Sequence, residues 1–277
     1  MVRFNSTRMA AVIGMLVIGG MIPSPVFAQG LIWSLPQDGS WVRFEGEIKQ
    51  TELRPNSPDG DVEMVWIQHV IVKSVGQETA EYQGSMVPCR WIEIVSMTGK
   101  TSEAGIDTGP VGTTIYKALV PESAVIGQMI DANTIPVSFL PIVKGYRKIG
   151  TGEPELLKTP ILQIYPLSGL LKHFENLKSV GDSAEDVETP VGFISSRKYE
   201  GQAQLESRSS RTANSAEIWL STDVPFGMTK WTLKGTREKK ESYEARDAFQ
   251  PVTEITVELT VHETGMTAES ELAIPGE

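Results

Sequence analysis

The stretch Val252–His262 constrains the fold more than any other part of the sequence. Ile255, Val257, Leu259 and Val261 alternate without a break with Glu254, Thr256, Glu258, Thr260 and His262. A period of two sorts side chains onto opposite faces of an extended chain, whereas a helix would scatter them around its axis. One face is then apolar and the other wet, as in an antiparallel sheet with one solvated side. Trp41–Ile48 repeats the pattern, with Val42, Phe44 and Ile48 opposite Arg43, Glu45 and Glu47. In Met228–Lys234, Thr229, Trp231 and Leu233 oppose Lys230, Thr232 and Lys234. Met64–Val75 and Arg90–Met97 are Val- and Ile-rich runs, the second following a turn region with Gly84 and Pro88. Runs of this kind, separated by Gly and Pro, predict antiparallel pairing.

One stretch reads as helix. Ser168–Lys178 places Leu170, Leu171, Phe174 and Leu177 along one side, with Ser168 as cap. Pro136, Pro141, Pro154, Pro160 and Pro166 precede it, and the acidic stretch Gly181–Pro190 follows. The expected fold is mainly β (a β-rich α+β chain): curved antiparallel sheets, as a half-barrel or sandwich, with one short helix in the central connection. The expected organisation is a β-rich module over 29–132 and a Pro-rich connection with helix and acidic loop over 133–190. A second β-rich module spans 191–267, and 268–277 reads as a flexible tail. The two modules share a faint likeness, since Ile115–Gly127 and Ile218–Gly227 each run from an apolar strand through Val-Pro to Gly. Proline removes a ladder donor and commonly closes a strand, so chance accounts for this as well as duplication does.

Residues 1–28 carry the order of an export signal. Arg3 and Arg8 precede the uncharged run Met9–Ile22, prolines 23 and 25 break it, and Val26-Phe27-Ala28 offers a cleavage site before Gln29. The run falls short of the roughly 20 residues that span a bilayer core. The expectation is an extracytoplasmic (periplasmic or secreted), soluble protein with no transmembrane anchor after cleavage near Ala28. The formal charge of −10 becomes −12 on loss of Arg3 and Arg8, leaving 23 basic residues against 35 acidic. Such a balance repels phosphate backbones and argues against nucleic acid as a partner. Cys89 is the only cysteine, so no intramolecular disulfide forms, and its apolar setting reads as a buried thiol.

Familiar catalytic signatures are missing. There is no Gly-x-Ser-x-Gly elbow, no phosphate-cradling glycine loop, and the glycine-rich stretch Gly105–Gly112 reads as a connection between strands. The three histidines, His69, His173 and His262, are far apart in sequence, which disfavours a zinc site unless folding joins two of them. Asp182, Glu185, Asp186 and Glu188 lack the spacing of a calcium loop and read as solvated. No catalytic residue, cofactor or metal ligand is therefore assigned. Tryptophans 33, 41, 66, 91, 219 and 231 lie mostly in alternating strands, where burial in a sheet core is the default.

The segment Ala216–Lys234, a Trp-bearing strand followed by a Pro loop and an antiparallel strand, resembles exported bacterial proteins of the lipoprotein-carrier type. That resemblance implies a curved, incomplete β-barrel closed by helices around an apolar cavity. The chain departs from it in being longer and in having its one clear helix in the middle; otherwise it reads like an exported family of no assigned activity. The leading expectation is a non-enzymatic β-rich protein that binds a hydrophobic small molecule or an envelope partner. Trp231, Leu233, Val257 and Leu259 are the candidate apolar ligand-facing residues, and they would equally make a plain core. Two alternatives stand beside it: an extracytoplasmic hydrolase with an unfamiliar carboxylate site, and a structural envelope-associated protein.

Overall fold

The structure is a computed structural model that describes residues 31–103, 105–125, 140–158, 161–162 and 177–274. The leader and the first nine residues of the Ser168–Lys178 helix expectation lie outside these, and Lys178 itself begins a short strand.

The strands are β1 (Trp41–Glu52), β2 (Val62–Tyr82), β3 (Ser85–Ser102), β4 (Gly105–Asp107), β5 (Thr114–Pro121), β6 (Leu140–Pro141) and β7 (Lys144–Ile149). Next come β8 (Glu155–Leu156), β9 (Ile161–Leu162), β10 (Lys178–Ser179), β11 (Glu185–Thr189) and β12 (Gly192–Glu206). The last three are β13 (Ser210–Leu220), β14 (Met228–Lys239) and β15 (Gln250–Gly265). All but β6 and β9 join one antiparallel sheet in the order β10-β12-β13-β14-β15-β1-β2-β3-β5-β7-β8, which is not closed into a barrel. The expected mainly-β, antiparallel architecture is what forms.

Three local expectations change. The acidic stretch after Gly181 is no plain loop, because Glu185–Thr189 pairs with Gly192–Ser196 as a hairpin. The Pro-rich connection contributes β7, which pairs with β5 and extends the sheet. Pro88 lies inside β3, opposite Thr79. Pairing with β5 begins only at Cys89, so Pro88 sits where the other side of β3 needs no ladder donor.

First and last long strands are neighbours, since β15 pairs along β1 from Trp41↔Gly265 to Glu52↔Thr253. The β-rich halves thus meet edge to edge in one sheet. Gly46 permits this approach: a Cβ there would lie 1.7 Å from the Glu258 carbonyl oxygen. Alternation then assigns the faces. Val42, Phe44, Val70, Val72, Ile92 and Ile94 from one half share a continuous core with Ile218, Trp231, Leu233, Val257, Leu259 and Val261 from the other. Leu31, Ile32, Val224, Phe226 and Met228 complete it.

A second, smaller core lies on the opposite face, over β2, β3 and β5. Cys89, Trp91, Val95, Ile115 and Leu119 pack there against Leu272 and Ile274. The end of the chain, expected to be a flexible tail, is therefore docked through residue 274. Leu272 is 1 % exposed.

Candidate functional site

The strand registers dictate what the uncovered polar face presents. In antiparallel pairs, directly opposed residues share a face with Cβ atoms about 5 Å apart. Glu200, Glu217, Thr232, Glu258 and Glu47 are successive partners across β12, β13, β14, β15 and β1. They form an acidic rung. On one side runs Lys198–Trp219–Lys230–Thr260–Glu45–His69, and on the other Gln202–Ser215–Lys234–Thr256–Lys49.

These rungs line an open trough of about 730 Å³ bounded by Glu45, Glu47, Lys49, Thr232, Lys234 and Glu258 among others. Two smaller hollows continue it toward β12, and Lys234 borders all three. Two of the rung's carboxylates are neutralised: Lys198 lies 2.7 Å from Glu217 and Lys230 2.6 Å from Glu258. The bond to Glu217 holds the Lys198 ammonium above its ordinary pKa. Both lysines also approach the Trp219 ring, at 5.1 and 5.6 Å from its centroid. Glu47 and Glu200 are exposed and have no ion-pair partner among the described residues. The trough thus offers the Glu47 carboxylate and threonine hydroxyls to solvent, while Glu200 stands opposite Lys178 of β10 and in the field of Lys198.

A compact charged cluster closes one end of it. The pairing of β1 with β15 slips by one residue between Arg43↔Glu263 and Phe44↔Val261, leaving His262 as the extra residue of a bulge. A bulge re-aims side chains and puts two successive residues on one face. His262 and Glu263 accordingly both reach Arg43. Its guanidinium lies 2.9 Å from Glu45 and 3.0 Å from Glu263, and Nη2 donates to His262 Nδ1 at 3.2 Å. With Nδ1 accepting, His262 Nε2 carries the hydrogen that faces Glu45 Oε2 at 3.3 Å. His69 Nε2 approaches the other Glu45 oxygen at 3.6 Å. Burial pushes the His69 imidazolium below its ordinary pKa, and Arg43 and His262 push the same way against the pull of Glu45.

Folding therefore unites two of the three histidines that sequence left apart. The cation at the centre makes this an ion-pair network: among the described residues no group of three or more His, Cys, Asp or Glu side chains is placed to hold a metal ion.

Trp231, Leu233, Val257 and Leu259 lie together as expected, on the apolar face, and none is more than 1 % exposed. They are packed in the main core rather than facing open space. Cys89 is fully buried, and burial raises its thiol pKa. Both effects make it a poor nucleophile.

No protein family matches the sequence, and no curated protein is similar to it. Two solved structures align loosely along most of the chain. One is a protein of Parabacteroides distasonis described as a lipoprotein, at 9 % identity and a TM-score of 0.34, covering 86 % of this chain and 100 % of that one. Another is a Bacteroides fragilis protein described as exported with a YmcC-like fold, at 10 % identity and a TM-score of 0.31, covering 84 % and 99 %. Alignments that loose carry no argument about this chain. Its site is read from its own residues. Among those described, no helix is long and apolar enough to cross a membrane.

Proposed function

We propose that the chain is an exported, non-enzymatic binding protein whose trough takes the cationic, hydrogen-bond-donating part of an envelope partner or small molecule. The acidic rung carries this reading. Glu47 and Glu200 are exposed carboxylates that form no ion pair among the described residues, beside Thr232 and Thr256 hydroxyls, on a chain of net charge −10. A low-dielectric wall behind such a row focuses its field and raises the local concentration of cations. Export is supported by the leader, with Arg3 and Arg8 before an apolar run and a small residue at Ala28. The competing hydrophobic ligand at Trp231, Leu233, Val257 and Leu259 requires the main core to open, because all four are buried in it.

Isothermal titration with a Lys-rich peptide tests the reading, with a neutral oligosaccharide and a fluorescent acyl probe as comparators. The expected result is saturable binding of the peptide alone. It weakens as salt screens the exposed charges, and falls at least about fivefold, ~1 kcal/mol, in Glu47→Gln/Glu200→Gln. Uptake of the acyl probe without the peptide overturns it.

A further inference from the structure

Of the charged clusters on the polar face, two differ in how completely they are satisfied. Lys73, Glu93 and Lys117 are successive partners across β2, β3 and β5. Glu93 is 0 % exposed and accepts from the Glu271 and Leu272 amides and from the Ser270 hydroxyl. A buried carboxylate with that many donors holds structure together.

The cluster around Glu45 is looser. Arg43 Nε is buried and has no hydrogen-bond partner among the described residues. His69 Nε2 stands 3.6 Å from Glu45 Oε1, beyond hydrogen-bond reach. The side chains of Arg43, Glu45, His69 and His262 are all partly exposed, so water delivers protons to them. Each strand packed against the histidines adds to their field. Arg43 and Glu45 come from β1, Glu263 from β15, and Lys230 from β14, opposite Thr260. Lys230 is neutralised by Glu258 at 2.6 Å. From β3, the uncharged Met97 stands opposite His69. With neutral imidazoles, Arg43, Glu45 and Glu263 carry one net negative formal charge. Two imidazolium ions turn that into one net positive charge.

The deciding contact is that of Arg43 Nη2 with His262 Nδ1, at 3.2 Å. A guanidinium has only donors, so Nδ1 accepts, and only a neutral imidazole can accept. A proton on Nδ1 sets N–H against N–H and breaks the bond. Nε2–H still faces Glu45 Oε2 at 3.3 Å, and the new charge strengthens that contact. His69, once charged, is drawn to the other Glu45 oxygen. Histidine is the side chain whose charge changes between about pH 5 and 8. Burial, with Arg43 and His262, keeps His69 neutral to lower pH than an ordinary histidine, which sets the change on the acid side. Glu45 also lines the trough, so its exchange of partners is felt by anything bound there.

We propose that Arg43, Glu45, His69 and His262 form a proton-operated catch at the end of the trough. In the neutral state that end is acidic and holds a cation. In the protonated state both imidazolium ions claim Glu45, the end turns positive, and the cation is released. The release rests on the trough taking cations; the change of partner at His262 does not.

Imidazole nitrogen NMR on the unaltered chain, with the histidines assigned from single variants, tests the catch without any ligand. At about pH 7.5 His262 should show a bare Nδ1 and a protonated Nε2, and at about pH 5 both should be protonated. The Arg43 guanidinium signals should shift through the same transition. A protonated Nδ1 at the higher pH, or guanidinium signals that stay still while His262 titrates, overturns the catch. Calorimetric titration with the Lys-rich peptide at the same two pH values tests the release. Affinity should fall at least about fivefold at the lower pH, and bound peptide should move the His69 titration to lower pH in return. In His69→Gln/His262→Asn, whose amides take up no proton, the ratio of the two affinities should collapse to about one. Equal affinity at both pH values in the unaltered chain, or an undiminished ratio in the variant, overturns the release. A peptide that binds at neither pH refutes the cation reading, and the NMR measurement then decides the catch by itself.

Discussion

One face of one sheet is treated in two ways. Over β2, β3 and β5 it carries apolar residues and a buried Lys–Glu–Lys rung, and the end of the chain lies on top. Over β12–β15 and β1 it carries charges and threonines in solvent, and forms a trough of about 730 Å³. The two regions contain the same residue types, since each has glutamates facing lysines across strands. What separates them is coverage. Glu93 at 0 % exposure depends on every bond it makes, whereas Glu258, whose side chain is 58 % exposed, is screened by water. Charge in the first region fixes structure, and charge in the second is free to meet something else.

The sharpest way to break this contrast is to remove one carboxylate from each side. Glu93→Ala leaves Lys73 and the Glu271 and Leu272 amides without the buried carboxylate they meet, and should lose about 3–5 kcal/mol in urea unfolding. Glu47→Ala should stay within about 0.5 kcal/mol, because Glu47 faces Glu258 in solvent. Comparable losses at the two sites would end the distinction. Leu272→Ala should lose about 2 kcal/mol, the low end for a buried leucine, because a terminal segment relaxes around the gap. An unchanged unfolding midpoint would show that the docked segment contributes little.

A pH titration sharpens the open side. His69 has its pKa lowered by burial, so the unfolded chain binds more protons than the folded one. Its contribution is present above the unfolded pKa and is lost as pH falls through about 6.5. Replacing it in His69→Gln should flatten the stability profile between about pH 7 and 5. An identical slope would contradict a half-buried His69 whose pKa is lowered by folding. A small effect is expected at Lys230→Ala, which breaks a half-exposed pair and should change stability by about 0.2–1 kcal/mol, less at high salt.

Much of this contrast was legible in the alternation. Val257 and Leu259 went to the apolar face and Glu258 and Thr260 to the wet one because period two needs only local sequence. The acidic rung was not legible. It depends on which residue of β15 stands beside which residue of β1, and these come from opposite ends of the chain, as Glu47↔Glu258 illustrates. The same distance hid the meeting of His69 with His262, and the bulge that turns His262 toward Arg43 leaves no mark in composition. The Lys–Glu–Lys rung did leave one. Lys73, Glu93 and Lys117 are single charges inside apolar runs (Val70–Val75, Trp91–Val95, Ile115–Val120), a pattern that asks for a buried partner. That partner lay in the tail expected to be flexible, although its Leu272 and Ile274 are spaced two apart, as alternate residues of a strand are.

The most direct test of the central claim, that the uncovered polar face is the binding face, is a hydrogen-exchange footprint with the Lys-rich peptide bound. The prediction is slower exchange confined to amides of β13, β14, β15 and β1 that border the trough, with the β2–β3 ladder unchanged. Protection spread evenly over the sheet, or confined to β2 and β3, would contradict it.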